Sequence, residues 1–248
     1  MIGNKIIELQ KVDSTNFYLE EEYSKNTIEE GTIIIAREQF AGKGQDSNSW
    51  HSAPGDNLTL SILLKPQFLN PANQFSLNEM VSLAVTEAIE KFLPEEAKIH
   101  IKWPNDIYVG DRKVAGILIK NFISGRILDA SIVGIGINVN QKKFPASIPN
   151  AISISMVAGI SIEIKEVFKA LVESFTFWYK KLNSEDCSDI SINYMLNLYR
   201  RTGYFPYLFK GNKIIAKITG LDEYGRLILE SDSGEICCCD LKDVKFLL

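Results

Sequence analysis

The sequence lacks any long uninterrupted run of apolar residues. A helix that crosses a membrane needs about 20 such residues in a row, so we expect no membrane partner. The opening residues MIGNKIIELQ also lack the apolar core of a secretory signal. Since 46% of the residues are hydrophobic and 23% are charged, the composition is typical of a folded protein. These features predict a cytoplasmic location.

Histidine and cysteine are scarce, which limits the metal and thiol chemistry available. His51 and His100 are the only two histidines, and no carboxylate pattern beside them indicates a catalytic triad or a zinc site. Cys187 stands alone, and residues 237–239 are three consecutive cysteines with no second cluster to complete a metal site. The cysteines therefore give no information about disulfides, and the sequence identifies no metal ligands.

The net charge of −4 at pH 7 offers no general attraction to nucleic acid. Residues 98–120 differ from the chain as a whole in being positively charged, because they hold five lysines or arginines and two acidic residues. From charge alone, a solvated hairpin is the favoured interpretation, and a positive site for an anionic ligand is the alternative.

Hydrophobic spacing predicts the organisation of the chain. Apolar residues recur at helical spacing in three segments, which are residues 77–93, 163–182 and 190–201. Strand-like apolar segments lie between them, which predicts an α+β domain over residues 1–203. Residues 204–248 contain short strands separated by turns, as in a small β-barrel domain.

Glycine interrupts one strand-like segment, SIVGIGINVN at residues 131–140. Alternation of side chains places its large apolar residues on one face of the strand. The other face carries Gly134, Gly136 and Asn138, so it is almost free of side chains. Glycine in a strand marks either close approach by a ligand or another backbone, or tight packing beneath a helix, and the segment alone favours neither.

Lys113 opens another strand-like segment, KVAGILIK. Strict alternation places Lys113 on the same face as Ala115 and Ile117, with Gly116 and Leu118 on the other face. Both faces are apolar, and a buried ammonium is costly unless it reaches solvent or meets an anion. A lone lysine commonly reaches solvent, but the basic and amide residues expected nearby favour an anion.

A glycine-rich loop, REQFAGKGQDSNSWHSAPGDN, separates two strands at residues 37–57. Gly42 and Gly44 allow backbone amides to approach an anion, and Lys43 adds a cation. Trp50 can stack on a ring or simply anchor the loop. The loop contains neither G-x-x-x-x-G-K-[ST] nor G-x-G-x-x-G, so it is neither a P-loop nor a dinucleotide fingerprint.

In order and spacing, these segments resemble those of the biotin protein ligases. The matching pieces are DSTN at residues 13–16, REQFAGKGQDSNSW at 37–50, KWPNDIYVGDRKVAGIL at 102–118 and GIGINVN at 134–140. The resemblance covers nearly the whole chain. It implies a mixed, largely antiparallel sheet with helices on one side, as in class II synthetases, and an SH3-like C-terminal β-barrel. Because the pattern begins so early, we expect the monofunctional form without an N-terminal DNA-binding domain.

The resemblance also implies a two-step reaction. The family uses ATP to convert biotin to biotinoyl-AMP and then transfers the biotinoyl group to a lysine of a biotin carboxyl carrier protein. A carboxylate resists attack by an amine until AMP supplies a leaving group, and joining two anions requires fixed positive charge. The implied partners are Mg²⁺ beside the phosphates and a carboxylase subunit, with no DNA; some members of the family form homodimers.

Site residues follow from the same resemblance. Lys113 is expected at the carboxylate of biotin and the α-phosphate, and Asp106 is a candidate for assisting the acceptor lysine in the second step. The expected biotin contacts are Ser14, Thr15, Asn16, Gln39, Gly42, Lys43, Gly44, Gln45, Lys113 and Gly116. The expected ATP contacts are Lys43, Trp50, Lys102, Asn105 and Asn138.

The loop departs from the family pattern at Gln45 and Asp46, where many members have arginine. We therefore expect biotinoyl-AMP to escape faster than from an arginine-bearing loop.

Two other functions share parts of this pattern. A lipoate or octanoate ligase has the same catalytic architecture, but a cysteine-dependent transferase of that kind is disfavoured, because the four cysteines lie outside the site segments. A non-catalytic biotin-binding module is disfavoured by the intact Lys102, Asn105 and Lys113.

Overall fold

A computed structural model describes residues 1–25, 28–45, 48–184 and 187–247 of the chain. Within these residues, no helix combines the length and the hydropathy that crossing a membrane would need.

Seven strands form the larger sheet in this part of the chain. They are β1 (Ile6–Leu9), β2 (Ile33–Ala36), β3 (Leu58–Leu64), β4 (Ile99–Lys102), β5 (Asp106–Val109), β6 (Arg112–Ser124) and β7 (Ile127–Ile137). Their order across the sheet is β1-β2-β3-β7-β6-β5-β4. The β1–β2 pair is parallel, and the other five pairs are antiparallel. The predicted mixed, largely antiparallel sheet is therefore confirmed.

The helices are α1 (Thr15–Ser24), α2 (Phe75–Glu90), α3 (Ile154–Ala158), α4 (Ile164–Leu182) and α5 (Ser188–Leu196). The three predicted helices correspond to α2, α4 and α5, and α5 ends five residues before its predicted end at residue 201. The chain after α5 joins the edge of the sheet instead. Ile101 donates its N–H to the carbonyl of Asn197, and Tyr199 donates to the carbonyl of Ile101, both at 2.8 Å.

The larger sheet is covered on both faces. Ile62 and Val133 belong to the main core with α2 and α4. The adjacent residues Leu63 and Ile132 point to the opposite face and pack with Leu19 of α1. The two long helices therefore lie on one side, as predicted, while α1 covers one end of the other side.

The C-terminal strands form a second, antiparallel sheet. They are β8 (Phe205–Phe209), β9 (Asn212–Leu221), β10 (Leu227–Ser231), β11 (Ile236–Cys239) and β12 (Val244–Phe246), in the order β11-β10-β9-β8-β12. Within the described residues, β11 and β12 lie at opposite edges and do not pair, so these strands do not close the predicted barrel.

The second sheet packs closely against the first. Tyr207 and Leu227 belong to the same buried cluster as the core of the larger sheet. The indole N–H of Trp103 donates to the carbonyl of Gly225 at 2.9 Å, which joins the two sheets by a buried hydrogen bond. The division of the chain at residue 203 remains a prediction.

Candidate active site

A pocket lies on the face of the larger sheet that α1 borders. Strands β3, β6 and β7 form its floor, and the start of α1 and the loop before β3 form its rim. The residues that line it are Ser14, Thr15, Asn16, Gln39, Lys43, Gly44, Gln45, Asn48, Ser49, Trp50, Leu60, Asp106, Lys113, Gly116, Ile117, Leu118, Gly134, Ile135 and Gly136.

Three glycines form much of the pocket floor. Gly116 pairs directly with Gly136 across β6 and β7, and Gly134 lies two residues along β7 on the same face. A Cβ at Gly134 would collide with the carboxamide of Asn16, and one at Gly136 would collide with the indole of Trp50. Side chains from helix α1 and from the glycine-rich loop therefore pack closely on these glycines, and close approach by a ligand remains a prediction.

Lys113 reaches this face through a β-bulge. In the β5–β6 pair, Ile107 lies opposite Ala115. The next pair joins Tyr108 to Lys113, so Val114 has no opposite residue. The extra residue interrupts the alternation, leaving Val114 buried in the core and Lys113 on the pocket face. The prediction that Lys113 shares a face with Ala115 is therefore wrong, because strict alternation fails at the bulge.

The ammonium of Lys113 lies 2.5 Å from the carboxylate of Asp106. It also lies 5.8 Å from the centre of the Trp50 ring and 3.1 Å from the position that a Cβ on Gly116 would take. The Lys113 and Asp106 side chains are 30% and 28% exposed, so water still reaches the pair. A partly solvated ion pair contributes little net free energy, so an anionic ligand can replace the carboxylate at small cost.

The other end of the pocket carries a network of neutral polar groups. Gln39 Oε1 accepts hydrogen bonds from the backbone N–H and the hydroxyl of Thr15, at 2.7 and 3.0 Å. The buried hydroxyl of Ser61 lies 2.7 Å from Oγ1 of Thr15 and 2.5 Å from Oδ1 of Asn16. Asn16 also donates to the carbonyl of Leu118 at 3.2 Å. Because these groups are uncharged, this end of the pocket fits a neutral polar ligand group.

Two serines near this network differ in how well the sequence marks them. Ser14 is the N-cap of α1, but its side chain makes no capping hydrogen bond. It lines the pocket, and its contact with biotin remains a prediction. Sequence reasoning missed Ser61, whose signal is a hydroxyl in a largely apolar strand, opposite Gly134. It also did not assign to the site eight of the lining residues, which are Asn48, Ser49, Leu60, Ile117, Leu118, Gly134, Ile135 and Gly136.

The glycine-rich loop forms a small hairpin at the rim. The N–H of Gly44 donates to the carbonyl of Asn48 at 2.7 Å, and the N–H of Trp50 donates to the carbonyl of Gly42 at 2.9 Å. The second bond fixes the backbone of Trp50, whose indole lies against the glycine floor. The indole N–H is buried and has no acceptor among the described residues.

The remaining loop residues of the predicted site differ in position. Lys43 is exposed and lines the pocket together with Gln45. Gly42 does not line the pocket, because it lies beneath the backbone of Trp50. Asp46 lies outside the described residues.

Asn105 and Asn138 do not line the pocket. Asn105 is buried and donates to the carbonyl of Ile117 at 2.6 Å. Asn138 is buried and donates to the carbonyl of Ile152 at 3.1 Å, and its Oδ1 has no partner within the described part of the chain. Both amides therefore tie neighbouring segments to the sheet, and their contact with ATP remains a prediction.

Lys102 lies just beyond the pocket, at the end of a row of paired residues that crosses neighbouring strands of the sheet. Across the sheet, Gly136 is opposite Gly116, Gly116 is opposite Asp106, and Asp106 is opposite Lys102. Burial lowers the pKa of Lys102, and the negative charge of Asp106 works against that shift. The row thus leads from the glycine floor past the ion pair to a second, half-buried cation.

No cluster of three or more histidine, cysteine, aspartate or glutamate side chains within the described ranges could hold a metal ion. Asp106 is the one carboxylate that lines the pocket in those ranges.

Residues 7–138, more than half of the chain, match the model of the biotin/lipoate A/B protein ligase family. The bifunctional ligase/repressor BirA of Bacillus subtilis is 32% identical over 222 residues, which cover 86% of this chain and 66% of that protein. The biotin--[acetyl-CoA-carboxylase] ligase of Paracoccus denitrificans is 28% identical over 214 residues, covering 81% of this chain and 85% of that protein.

A solved structure agrees with these sequence similarities. The biotin protein ligase from Aquifex aeolicus, in complex with biotin and ATP, superimposes with a TM-score of 0.81 at 28% identity. The superposition covers 98% of this chain and 100% of that chain, so it includes both sheets.

Proposed function

Because the chain belongs to the biotin/lipoate A/B protein ligase family, we propose that it is a biotin protein ligase. It joins biotin to AMP at the expense of ATP and then transfers the biotinoyl group to a lysine of a biotin carboxyl carrier protein. The observation that carries this proposal is the position of Lys113. Its ammonium lies on a glycine floor, at the opposite end of the pocket from a network of neutral polar groups.

In the first step, a carboxylate oxygen of biotin attacks the α-phosphorus of ATP, and pyrophosphate leaves. Both reactants are anionic, so fixed positive charge is needed where negative charge collects around the α-phosphate. The Lys113 ammonium supplies that charge, and Gly116 leaves room beside it for both anions. The ion pair with Asp106 holds the ammonium in this position before the substrates bind.

The polar end of the pocket fits the ureido ring of biotin, which is neutral and carries two N–H donors and one carbonyl acceptor. Thr15, Asn16 and Gln39 present both hydroxyl and amide groups there. The dithiolane ring of lipoate and the tail of octanoate have no N–H or carbonyl group. They would leave the polar groups of the pocket without partners, and such a mismatch strongly disfavours binding.

In the second step, the amine of the acceptor lysine attacks the carbonyl carbon of biotinoyl-AMP, an amide bond forms, and AMP leaves. A lysine has an unperturbed pKa of about 10.4, so its ammonium must give up a proton before it can attack. When Lys113 bonds to the anions, the Asp106 carboxylate becomes free to hydrogen-bond the incoming ammonium and accept that proton. Asp106 therefore acts in the second step of the proposed reaction.

A magnesium ion fits this site only as a companion of the phosphates. Mg²⁺ is commonly bound by one or two carboxylates together with substrate phosphates. Asp106 would be its protein ligand, and the ion would neutralise negative charge on the phosphates. The contributions of Lys113 and Asp106 described here do not depend on it.

The acceptor is the carrier domain of a biotin-dependent carboxylase, since the Paracoccus relative carries the name of a ligase that acts on acetyl-CoA carboxylase. A cytoplasmic location, the absence of a DNA partner and a homodimer are parts of the same proposal.

Incubating the protein with biotin, MgATP and a carboxylase carrier domain tests the proposal by mass spectrometry. We expect the carrier to gain one biotinoyl group on a single lysine and pyrophosphate release to depend on biotin. A carrier with that lysine changed to arginine is the control and should stay unmodified.

Two other outcomes would point to the alternative functions. Greater pyrophosphate release with lipoate or octanoate than with biotin would identify a ligase for those acids. A biotin-dependent rise in melting temperature without any pyrophosphate release would identify a binding module.

A further inference from the structure

Lys102 is held by a chain of hydrogen bonds outside the pocket lining. Its ammonium donates to the hydroxyl of Tyr108 at 3.1 Å. The same hydroxyl accepts a hydrogen bond from Nδ2 of Asn150 at 3.0 Å. The ammonium also lies 5.0 Å from the centre of the Tyr108 ring and 5.3 Å from that of Phe246. One hydroxyl and two aromatic faces therefore fix the direction of this half-buried cation.

Other contacts hold Tyr108 and Asn150 in place. The ring of Tyr108 is buried in β5 and packs against Tyr199 with the ring centres 5.5 Å apart. Asn150 belongs to a segment that pairs with the start of β6, and its carbonyl accepts the N–H of Lys113 at 2.8 Å. Asn150 thus holds the backbone of Lys113 directly and the side chain of Lys102 through the hydroxyl of Tyr108.

The two cations lie along one path on the sheet surface. Lys102 is directly opposite Asp106, which forms the ion pair with Lys113. The charged groups whose fields act on the Lys102 ammonium are Asp106, Lys113 and Arg200, so the balance is positive. An anion that begins at Lys113 and extends away from the glycine floor therefore meets Lys102 next.

We propose that Tyr108, oriented by Asn150, positions the Lys102 ammonium for the departing pyrophosphate portion of ATP. This inference rests on the proposed ligase function, because it requires a triphosphate whose α-phosphate lies at Lys113. Tyr108 is a positioning residue, since it acts through Lys102. This portion of ATP already carries negative charge before the bond to the α-phosphorus breaks, so a correctly aimed cation strengthens the binding of ATP.

Tyr108→Phe tests the inference because it removes the hydroxyl and keeps the ring that packs against Tyr199. Tyr207→Phe is a matched control, since Tyr207 is fully buried and its hydroxyl has no partner among the described residues. In biotin-dependent exchange between ATP and pyrophosphate, we expect Tyr108→Phe to raise KM for ATP by about tenfold and leave KM for biotin unchanged. Tyr207→Phe should change neither constant.

A second comparison separates positioning from general damage to the fold. If Tyr108 acts through Lys102, Tyr108→Phe should have no further effect on KM for ATP in a Lys102→Met background. Asn150→Ala should raise KM for ATP in the same direction as Tyr108→Phe, at an unchanged melting temperature. The inference would be overturned if Tyr108→Phe raised KM for ATP as much in the Lys102→Met background as it does in the wild type.

The outcomes also distinguish this inference from the function on which it rests. If the wild-type protein catalyses no biotin-dependent exchange, the proposed function and this inference both fail. If the wild type catalyses exchange, but Tyr108→Phe and Tyr207→Phe have the same KM for ATP, the inference alone fails.

Discussion

Asp106 and Lys113 form an ion pair at 2.5 Å on neighbouring strands, and they do so because the bulge at Val114 shifts the register between those strands. Without the extra residue, alternation would direct the Lys113 ammonium into the apolar core, where an unpaired charge is very costly. The bulge allows one strand to pack the core and also to present a cation to the pocket. The β-bulge between β5 and β6 therefore creates the charged end of the pocket.

Replacing Lys113 should mainly impair formation of the adenylate. Lys113→Ala removes the cation that offsets charge at the α-phosphate, so we expect biotin-dependent pyrophosphate exchange to fall by about 10²–10³-fold. Lys91→Ala is the control, because Lys91 is exposed and its ion pair with Glu173 spans 3.9 Å on the surface. Activity of Lys113→Ala within a few-fold of the Lys91→Ala value would contradict the assigned role.

Replacing Asp106 should separate the two steps of the reaction. Asp106→Asn keeps the shape of the side chain but removes the proton acceptor, so transfer from preformed biotinoyl-AMP to the carrier should slow by about 10²-fold. Single-turnover transfer with supplied biotinoyl-AMP measures this directly. Raising the pH should partly restore the rate, because more of the acceptor lysine is then already neutral. An unchanged transfer rate would remove Asp106 from the second step.

Much of the architecture could be predicted from the sequence, because it follows from local periodicity. The bare face of β7 at Gly134 and Gly136 follows from alternation within a short segment, and the structure places Asn16 and Trp50 directly above it. Eleven of the predicted site residues line one pocket, which are Ser14, Thr15, Asn16, Gln39, Lys43, Gly44, Gln45, Trp50, Asp106, Lys113 and Gly116. Gly42, Lys102, Asn105 and Asn138 do not line it.

Features that depend on contacts distant in sequence could not be predicted in this way. The bulge that redirects Lys113 is a property of the β5–β6 pairing, and no local pattern marks it. Asn150 lies 42 residues from Tyr108 and meets it only after the chain folds back onto β6. The early end of α5 has the same origin, since pairing with Ile101 replaces the last helical turn.

The loop at Gln45 should control how long the adenylate stays bound. Gln45 lines the pocket but carries no charge, so Gln45→Arg adds a cation that can hold the phosphate of biotinoyl-AMP. We expect Gln45→Arg to release the adenylate several-fold more slowly than the wild type, measured by trapping released biotinoyl-AMP. Gln67→Arg, at an exposed position outside the pocket lining, controls for the added charge. Equal release rates in Gln45→Arg and the wild type would show that residue 45 does not control release of the adenylate.

Gly136→Ala should disturb the pocket by displacing Trp50. The added methyl group would collide with the indole, and such overpacking typically costs about 1–3 kcal/mol in the free energy of unfolding. Gly220→Ala is a matched control, because Gly220 also lies in a strand and has open space where its Cβ would be. Thermal unfolding gives the stabilities, and calorimetry should show weaker ATP binding for Gly136→Ala. In a Trp50→Ala background, the cost of Gly136→Ala should shrink; an undiminished cost would exclude Trp50 as the cause.

Glu79 in α2 should make the stability of the fold depend on pH. Its side chain is 6% exposed, and burial raises the pKa of its carboxyl from 4.5 to about 7. The folded state therefore holds the proton more tightly than the unfolded state. The stability contributed by this group is highest below about pH 4.5, declines as the pH rises towards 7, and is constant above that.

The side chain of Glu79→Gln stays neutral at every pH, so this variant does not lose stability as the pH rises. Its free energy of unfolding, relative to the wild type, should increase by about 2–3 kcal/mol between pH 5 and pH 8. Urea unfolding at the two pH values measures the difference. Glu90→Gln, at the exposed end of the same helix, should show no such change. A Glu79→Gln difference that is the same at both pH values would mean that the carboxyl is not desolvated in the folded protein.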